Sequence, residues 1–354
     1  MSPKGLLAVL VRPELFRKPC MPVVVSPITN HANRITSHRT GWGRMWAKCL
    51  DSKLSFNNDW SKETIVYLEH GMEFNENSKG VNVFLKEPKS WDKLAEKARM
   101  LENFKGKLYS LDIECPDYGA RLKSRVRDHS TSAYRGLDFD KISEVCASAQ
   151  TLKQEQLNKT GLVLGDSHAL SAWRTDAYLC RNDGQTLNGA LTRGFDFWID
   201  RFAGEDKNKL NFLRAYFGNI DIRHHLCRLA SSSRDQKEMT IDLTQKYVDE
   251  LSRCQEKYSL QEVEIVASLP IENESRKLPK TGYFKGQPFW GSWSARNAVH
   301  LRFDSLLREA CFKRGLKFVD WPKEFTNKDY ELDFVYMEKP RSVHISPEHY
   351  MWSI

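Results

Sequence analysis

Several familiar signatures are missing from this 354-residue chain, and each absence removes a class of answer. Its eight cysteines, at positions 20, 49, 115, 146, 180, 227, 254 and 311, form no CxxC pair and no zinc-knuckle spacing. Such scatter in a chain of this size reads as reduced, mostly buried thiols, not a disulfide framework. No apolar run approaches the roughly 18 residues of a membrane span. The N-terminal LLAVLV is only six apolar residues long before Arg12 and Pro13, too short for the core of a signal peptide. A cytoplasmic location is therefore expected, with no membrane contact. Neither GxGxxG nor GxxxxGK[ST] occurs, so no phosphate-binding loop supports a nucleotide-binding or transferase role for the first part of the chain. Nor is there a block of five like charges: the formal net charge of +8 is spread as single residues such as Arg121, Lys123, Arg125 and Arg127. That distribution reads as a solvated basic surface, with a nucleic-acid footprint as the competing reading.

What is present is an ordinary globular composition, 40% hydrophobic and 28% charged, enough to bury a core. The length favours two domains. Up to about residue 115 the pattern alternates between strand-like runs (PVVVSP, TIVYLEHG, VNVFL, KLYSLDIE) and a helix, SWDKLAEKARMLENF, capped by Ser90 and closed at Gly106. Residues 28–58 read as loop, and KISEVCASAQTLKQEQL as a helix leading to a boundary near 155. Beyond it the order is clearer. Strands over GLVLG, DAYLC, LRAYFGNIDI, VEIVASLPI and KFVDW alternate with helices over NGALTRGFDFWIDRF, TIDLTQKYVDELSRCQEKY (capped near Thr240 or Asp242) and RNAVHLRFDSLLREACFKRG, ended by Gly315. Such alternation predicts βαβ units and a parallel sheet covered on both faces, with working groups at the carboxyl ends of the strands. The chain thus divides into a smaller α/β domain, 1–155, of unassigned role and a larger α/β domain, 156–354.

The proposed strand ends carry Gly165-Asp166-Ser167, then Gly218-Asn219-Ile220-Asp221, then Pro270-Ile271-Glu272-Asn273. By itself Ser167 reads first as a helix N-cap, and Asn219 and the glycines as turn formers. Taken in order, however, GDSH at 165–168, TLNGALTRG, GNID at 218–221 and VHISPEHY near the C-terminus resemble the sequence blocks of SGNH (GDSL-type) hydrolases over about residues 160–354. The resemblance implies a flavodoxin-like three-layer α/β/α domain and a serine esterase or acyltransferase acting on an O-acyl group of a carbohydrate or other polar small molecule, without cofactor or metal. It makes Ser167 the nucleophile and His344 the base. The oxyanion donors would be the Ser167 amide, the amide of Gly189, with Gly194 in reserve, and the Asn219 side chain. A serine hydroxyl needs such a base, and the oxyanion formed on attack needs donors already aimed at it. The family commonly places an aspartate three residues before the histidine; Arg341 stands there instead. Orientation of His344 then falls to a backbone carbonyl, to Asp333 or to Glu338, or else hydrolysis is lost and the domain serves to bind a sugar, nucleotide or nucleic acid.

Three further features stand apart. His168 is expected to face away from substrate or to cap the helix. His224 and His225, read on a strand, point to opposite faces and so do not share a metal. The stretch 277–297, with Tyr283, Phe284, Phe289, Trp290, Trp293 and Arg296, is expected as a loop that overhangs the site, stacking on sugar or base and meeting phosphate, or else as packing against the first domain.

Overall fold

In the structure, a computed structural model, residues 159–352 are described apart from 183, 231–234, 276–285, 287–288 and 338–342. Before residue 159 it describes 23–25, 44–45, 48–49, 54–55, 64–67, 99, 102–104, 108–111, 135–148 and 150–152. Two five-stranded sheets emerge. The first orders its strands β2-β1-β3-β4-β5, with β1 Val23–Val25, β2 Leu54–Ser55, β3 Thr64–Tyr67, β4 Leu108–Leu111 and β5 Gln150–Leu152. All of its pairings are parallel. The expected strands at 23–25, 64–67 and 108–111 are present. Two expectations fail here. Leu54–Ser55 pairs with β1 within a stretch read as loop, and the helix α1 ends at Ala147 (Phe139–Ala147) before the chain turns into β5. A strand of two or three residues is too short to show a period. Most of the helix expected over 90–106, and the strand over VNVFL, lie outside the described residues.

The second sheet comprises β6 Gly161–Gly165, β7 Ala177–Arg181, β8 Phe212–Tyr216, β9 Glu262–Val266 and β10 Lys317–Val319, ordered β10-β9-β8-β6-β7 and parallel throughout. Counted from β6, this is the 2-1-3-4-5 order of the flavodoxin type, as expected. Strands β6, β7 and β8 are buried along their whole length, which is why they read as continuous apolar runs. Side chains alternate between two faces. Leu162, Leu164, Leu213, Ala215 and Ile265 meet helices α2 Leu187–Arg193, α3 Phe195–Ala203, α5 Gln236–Lys257 and α6 Trp293–Arg314. Between them a single turn, α4 Cys227–Ala230, follows the loop after β8. On the other face, Val163, Leu179, Phe212 and Tyr216 are covered by the 3-10 turn Ala169–Ala172, by Trp321, Phe325, Leu332, Met337, Ile345 and Tyr350 from the C-terminal run, and by Met45. Among the described residues, the α-helical pieces of that layer are short, 44–45 and 48–49, from which Met45 and Cys49 pack against it.

Helix limits follow from local chemistry. Asp235 starts α5 by accepting the Lys237 and Glu238 amides, so the helix begins one turn ahead of the Thr240 or Asp242 expected. Ser292 starts α6, and Gly315 ends it in the left-handed region at φ 69°. The single helix expected over NGALTRGFDFWIDRF is broken at Gly194, whose φ of 83° suits glycine alone. Among the described residues, Cys49, Cys180, Cys227, Cys254 and Cys311 form no disulfide. No described helix is long and apolar enough to cross a membrane.

Candidate active site at the sheet switch point

Strand order reverses between β6 and β8, and in open parallel sheets the crevice at that reversal is where ligands bind. The sequence tightens the backbone at this point. A Cβ on Gly165 would stand 2.3 Å from the Tyr216 carbonyl oxygen, so only glycine lets the two strands approach. The Asp166 amide donates to that same oxygen (3.1 Å), and the Asn182 amide donates to the Gly165 carbonyl (2.8 Å). Asp166 then folds over the turn: its Oδ1 accepts the His168 amide (2.8 Å) and meets His168 Nδ1 (3.0 Å). This leaves Ser167 at the apex of the turn, its amide without an acceptor among the described residues. Its Oγ lies 3.0 Å from His344 Nε2, a contact between residues 177 positions apart.

The helix-cap reading of Ser167 does not hold. The turn leads into a 3-10 segment rather than the α-helix expected, and the N-cap residue of that segment is His168, with no capping bond from the side chain. His168 does not face away either. It is buried, its Nε2 donates to the Val343 carbonyl (3.0 Å), and its ring lies on that of His344, centroids 4.7 Å apart. A sequence reading missed Asp166 and His168 because the i, i+2 bond exists only once the turn has folded; the D-x-H spacing was the available signal.

Asn219 follows β8, directly beyond Gly218. A Cβ on Gly218 would press into Phe303 at 2.8 Å, and its φ is 117°. Asn219 is buried, and its side-chain oxygen has no hydrogen-bond partner among the described residues. Arg223 Nε donates to its carbonyl (3.1 Å). The segment Asp221–Leu226 is a π-helix, a rare form that concentrates at functional sites. His224 and His225 therefore sit on a helical turn and not on the strand expected. Asp221 accepts the Leu187 (2.7 Å) and Asn188 (3.3 Å) amides, tying the start of α2 to this loop. Burial raises its pKa to about 6, against the pull of those amides.

Two expected oxyanion donors are committed elsewhere. The Gly189 amide donates to Thr186 Oγ1 (3.0 Å) as part of the α2 cap, and the Gly194 amide donates to the Ala190 and Leu191 carbonyls. A helix start consumes its first amides when a threonine caps it, which the TLNG spacing encodes. Asp333 is likewise occupied, capping the turn Phe334–Tyr336 through the Val335 amide (3.0 Å). Glu338 and Arg341 lie outside the described residues.

The expected substrate loop is partly a strut. Arg296 is wholly buried, donating to the Gly291 (2.5 Å) and Glu272 (2.8 Å) carbonyls beneath the Phe289 ring, so it does not meet phosphate. Trp293 opens α6, packs against the core and donates to the Ile271 carbonyl. Trp290 is exposed, its amide bonded to the Arg223 carbonyl. Tyr283 and Phe284 lie outside the described residues. No group of three His, Cys, Asp or Glu among the described residues could hold a metal ion.

No family model matches this sequence. No curated protein matches it either. Among solved structures, a GDSL-like lipase from Bacteroides thetaiotaomicron is similar at 12% identity, covering 55% of this chain and 83% of its own, with a TM-score of 0.35. Phospholipase A1 from Streptomyces albidoflavus is similar at 11% identity over 54% of this chain and 94% of its own (TM-score 0.34). An extracellular lipase from Streptomyces rimosus is similar at 12% identity over 55% and 96% (TM-score 0.29). At these scores the site must be judged on its own geometry.

Proposed function

We propose that this chain is a serine esterase or acyltransferase of the SGNH type, with Ser167 as nucleophile and His344 as base. The observation that carries the reading is the 3.0 Å contact between Ser167 Oγ and His344 Nε2 at the switch point of the second sheet. As Oγ attacks the acyl carbon, its proton passes to Nε2 and the carbonyl becomes an oxyanion. The Ser167 amide and the Asn219 side-chain amide are the donors proposed for it. When the tetrahedral centre collapses, the C–O bond to the alcohol breaks and the leaving oxygen takes the proton from Nε2. Water or a second alcohol then discharges the acyl-serine by the same steps in reverse. Asn182 and Asn219, beside this edge, each hold a buried side-chain oxygen with no hydrogen-bond partner among the described residues, which favours a polar acyl carrier such as a carbohydrate over a hydrocarbon chain. Residues 1–155 are proposed as a smaller α/β domain that lends Met45 to the core beneath the second sheet but does not supply the nucleophile or base.

The test is covalent labelling by a fluorophosphonate together with turnover of p-nitrophenyl acetate. Wild type should do both, and Ser167→Ala neither, with unchanged thermal unfolding. Undiminished turnover in Ser167→Ala sinks the proposal.

A further inference from the structure

In a Ser-His pair the histidine must be held at the right height and rotation, and the aspartate usual for this is replaced here by Arg341. We infer that Asp166 and His168 are a positioning pair that holds His344 against Ser167 through the backbone and the ring face. The inference rests on the proposed serine chemistry and deepens it.

Three contacts carry it. The first is His168 Nε2 to the Val343 carbonyl at 3.0 Å, one residue before His344. A carbonyl can only accept, so Nε2 carries a proton, and the bond fixes the peptide from which His344 projects. The second is His168 Nδ1 to Asp166 Oδ1 at 3.0 Å, with that same oxygen accepting the His168 amide at 2.8 Å. Neither side chain of the pair is more than 1% exposed, so no water competes for these bonds. The third is the ring contact at 4.7 Å between centroids and 32° between planes, which bars the His344 ring from tilting towards His168. Asp166 and His168 flank Ser167 in sequence. One turn therefore presents the nucleophile and clamps its base, so the two reacting atoms are registered to each other by three consecutive residues. His168 reaches the reaction only through His344; it is not a catalytic residue.

The chemistry of the ring predicts which replacements can stand in. Glutamine places its amide nitrogen where Nε2 lies and can still donate to the Val343 carbonyl. Asparagine places its nitrogen where Nδ1 lies and keeps only the Asp166 contact. His168→Ala, His168→Gln and His168→Asn in the full chain, measured for kcat and KM with p-nitrophenyl acetate, are therefore compared alongside thermal unfolding and 15N-histidine spectra, with Ser167→Ala used to identify the His344 signals. A base displaced by about 1 Å costs roughly 10²-fold in rate. The expected result is a kcat loss of about that size in the alanine and asparagine variants with KM within about threefold, and recovery to within about tenfold of wild type in the glutamine variant. The His344 nitrogen signals should shift in the first two and hold in the third. A glutamine variant no better than asparagine, or His344 signals unmoved in His168→Ala, overturns the inference. Glutamine and asparagine both keep a polar side chain, so their comparison stands if the alanine variant does not fold. Should wild type neither turn over ester nor take the fluorophosphonate, the esterase reading fails, while the spectra still decide whether His168 holds His344.

Discussion

The two ends of the second sheet treat charge in opposite ways. Towards the amino ends of its strands, ions are paired with one another. Arg174 meets Asp176, Glu262 and Glu264, and lies over the Phe212 ring; Arg214 and Lys317 also converge on the buried Glu264. Although burial pushes the other way, these bonds hold the Glu264 carboxyl well below its usual range. At the carboxyl ends, buried side-chain oxygens have no hydrogen-bond partner among the described residues: Asp166 Oδ2, Asn182 Oδ1 and Asn219 Oδ1. Carboxyls there are pushed up instead, Asp221 to about 6 and Asp304 to about 7, both by burial. One end of the sheet is arranged for its own stability. The other leaves buried acceptors and raised carboxyls, the features that a binding or catalytic site calls for.

The contrast breaks most directly at His344. Replacing it with alanine removes the proposed acceptor of the Ser167 proton, and kcat should fall by about 10³-fold or more while thermal unfolding shifts little. A fall below tenfold would mean that the 3.0 Å contact is a resting hydrogen bond without a catalytic part. Asn219→Ala is the next largest effect. Loss of one oxyanion donor costs about 10²- to 10³-fold in kcat, with KM nearly unchanged if Asn219 acts on the transition state alone. An equal effect on KM and none on kcat would place it in substrate binding.

Legibility in the sequence varied with the length of the elements. Strands β6, β7 and β8 of the second sheet announced themselves because three or more consecutive apolar residues, bounded by Gly, Asn or Asp, need only local pattern to be seen. In the first sheet, β2 and β5 span two and three residues and take their form from their neighbours. The blocks holding Ser167, Asn219 and His344 were visible in order, and the fold brings Ser167 Oγ to 3.0 Å from His344 Nε2. The reading of Gly189 as an oxyanion donor did not foresee that its amide answers to Thr186, three residues back, as part of a helix cap. His168 and Asp221 were hidden for a different reason: their partners, Val343 and Leu187, are far off in sequence and are brought near only by the fold. Arg296 looked like a phosphate ligand because a charge in a Gly-rich stretch is read as exposed, and only packing shows it buried.

At the amino end the expected loss is in stability alone. Glu264→Gln leaves Arg214 and Lys317 without their buried counter-charge, and breaking such a pair costs about 3 kcal/mol. The loss should be largest near neutral pH. Because the folded carboxyl is lowered, its contribution is full above the unfolded value near 4.5 and fades as pH falls through the folded one. Ester turnover per folded molecule should be unaltered; a kcat change above about threefold would mean the two ends are coupled.

Asp304→Asn is the smallest effect and carries the opposite sign. Asp304 Oδ1 accepts the Ser268 amide (3.1 Å) just beyond β9, and Oδ2 stands 3.7 Å from His300 Nε2. Burial lowers His300 to about 4, so it is neutral over the range that matters, while Asp320 opposes ionisation of Asp304 and Arg308 favours it. The folded carboxyl, near 7, lies above its usual 3.8, so between those values the folded state binds the extra proton and wild-type stability falls as pH rises. Asparagine keeps the acceptor for Ser268 without the charge. The two proteins should unfold alike near pH 4, and by pH 8 the variant should be the more stable by something on the order of 2 kcal/mol, less than the full shift because the side chain touches solvent. Chemical denaturation at the two pH values reads the difference. A variant less stable at pH 8 would show that ionised Asp304 is stabilised by its surroundings, and that the carboxyl end balances its charges as the amino end does.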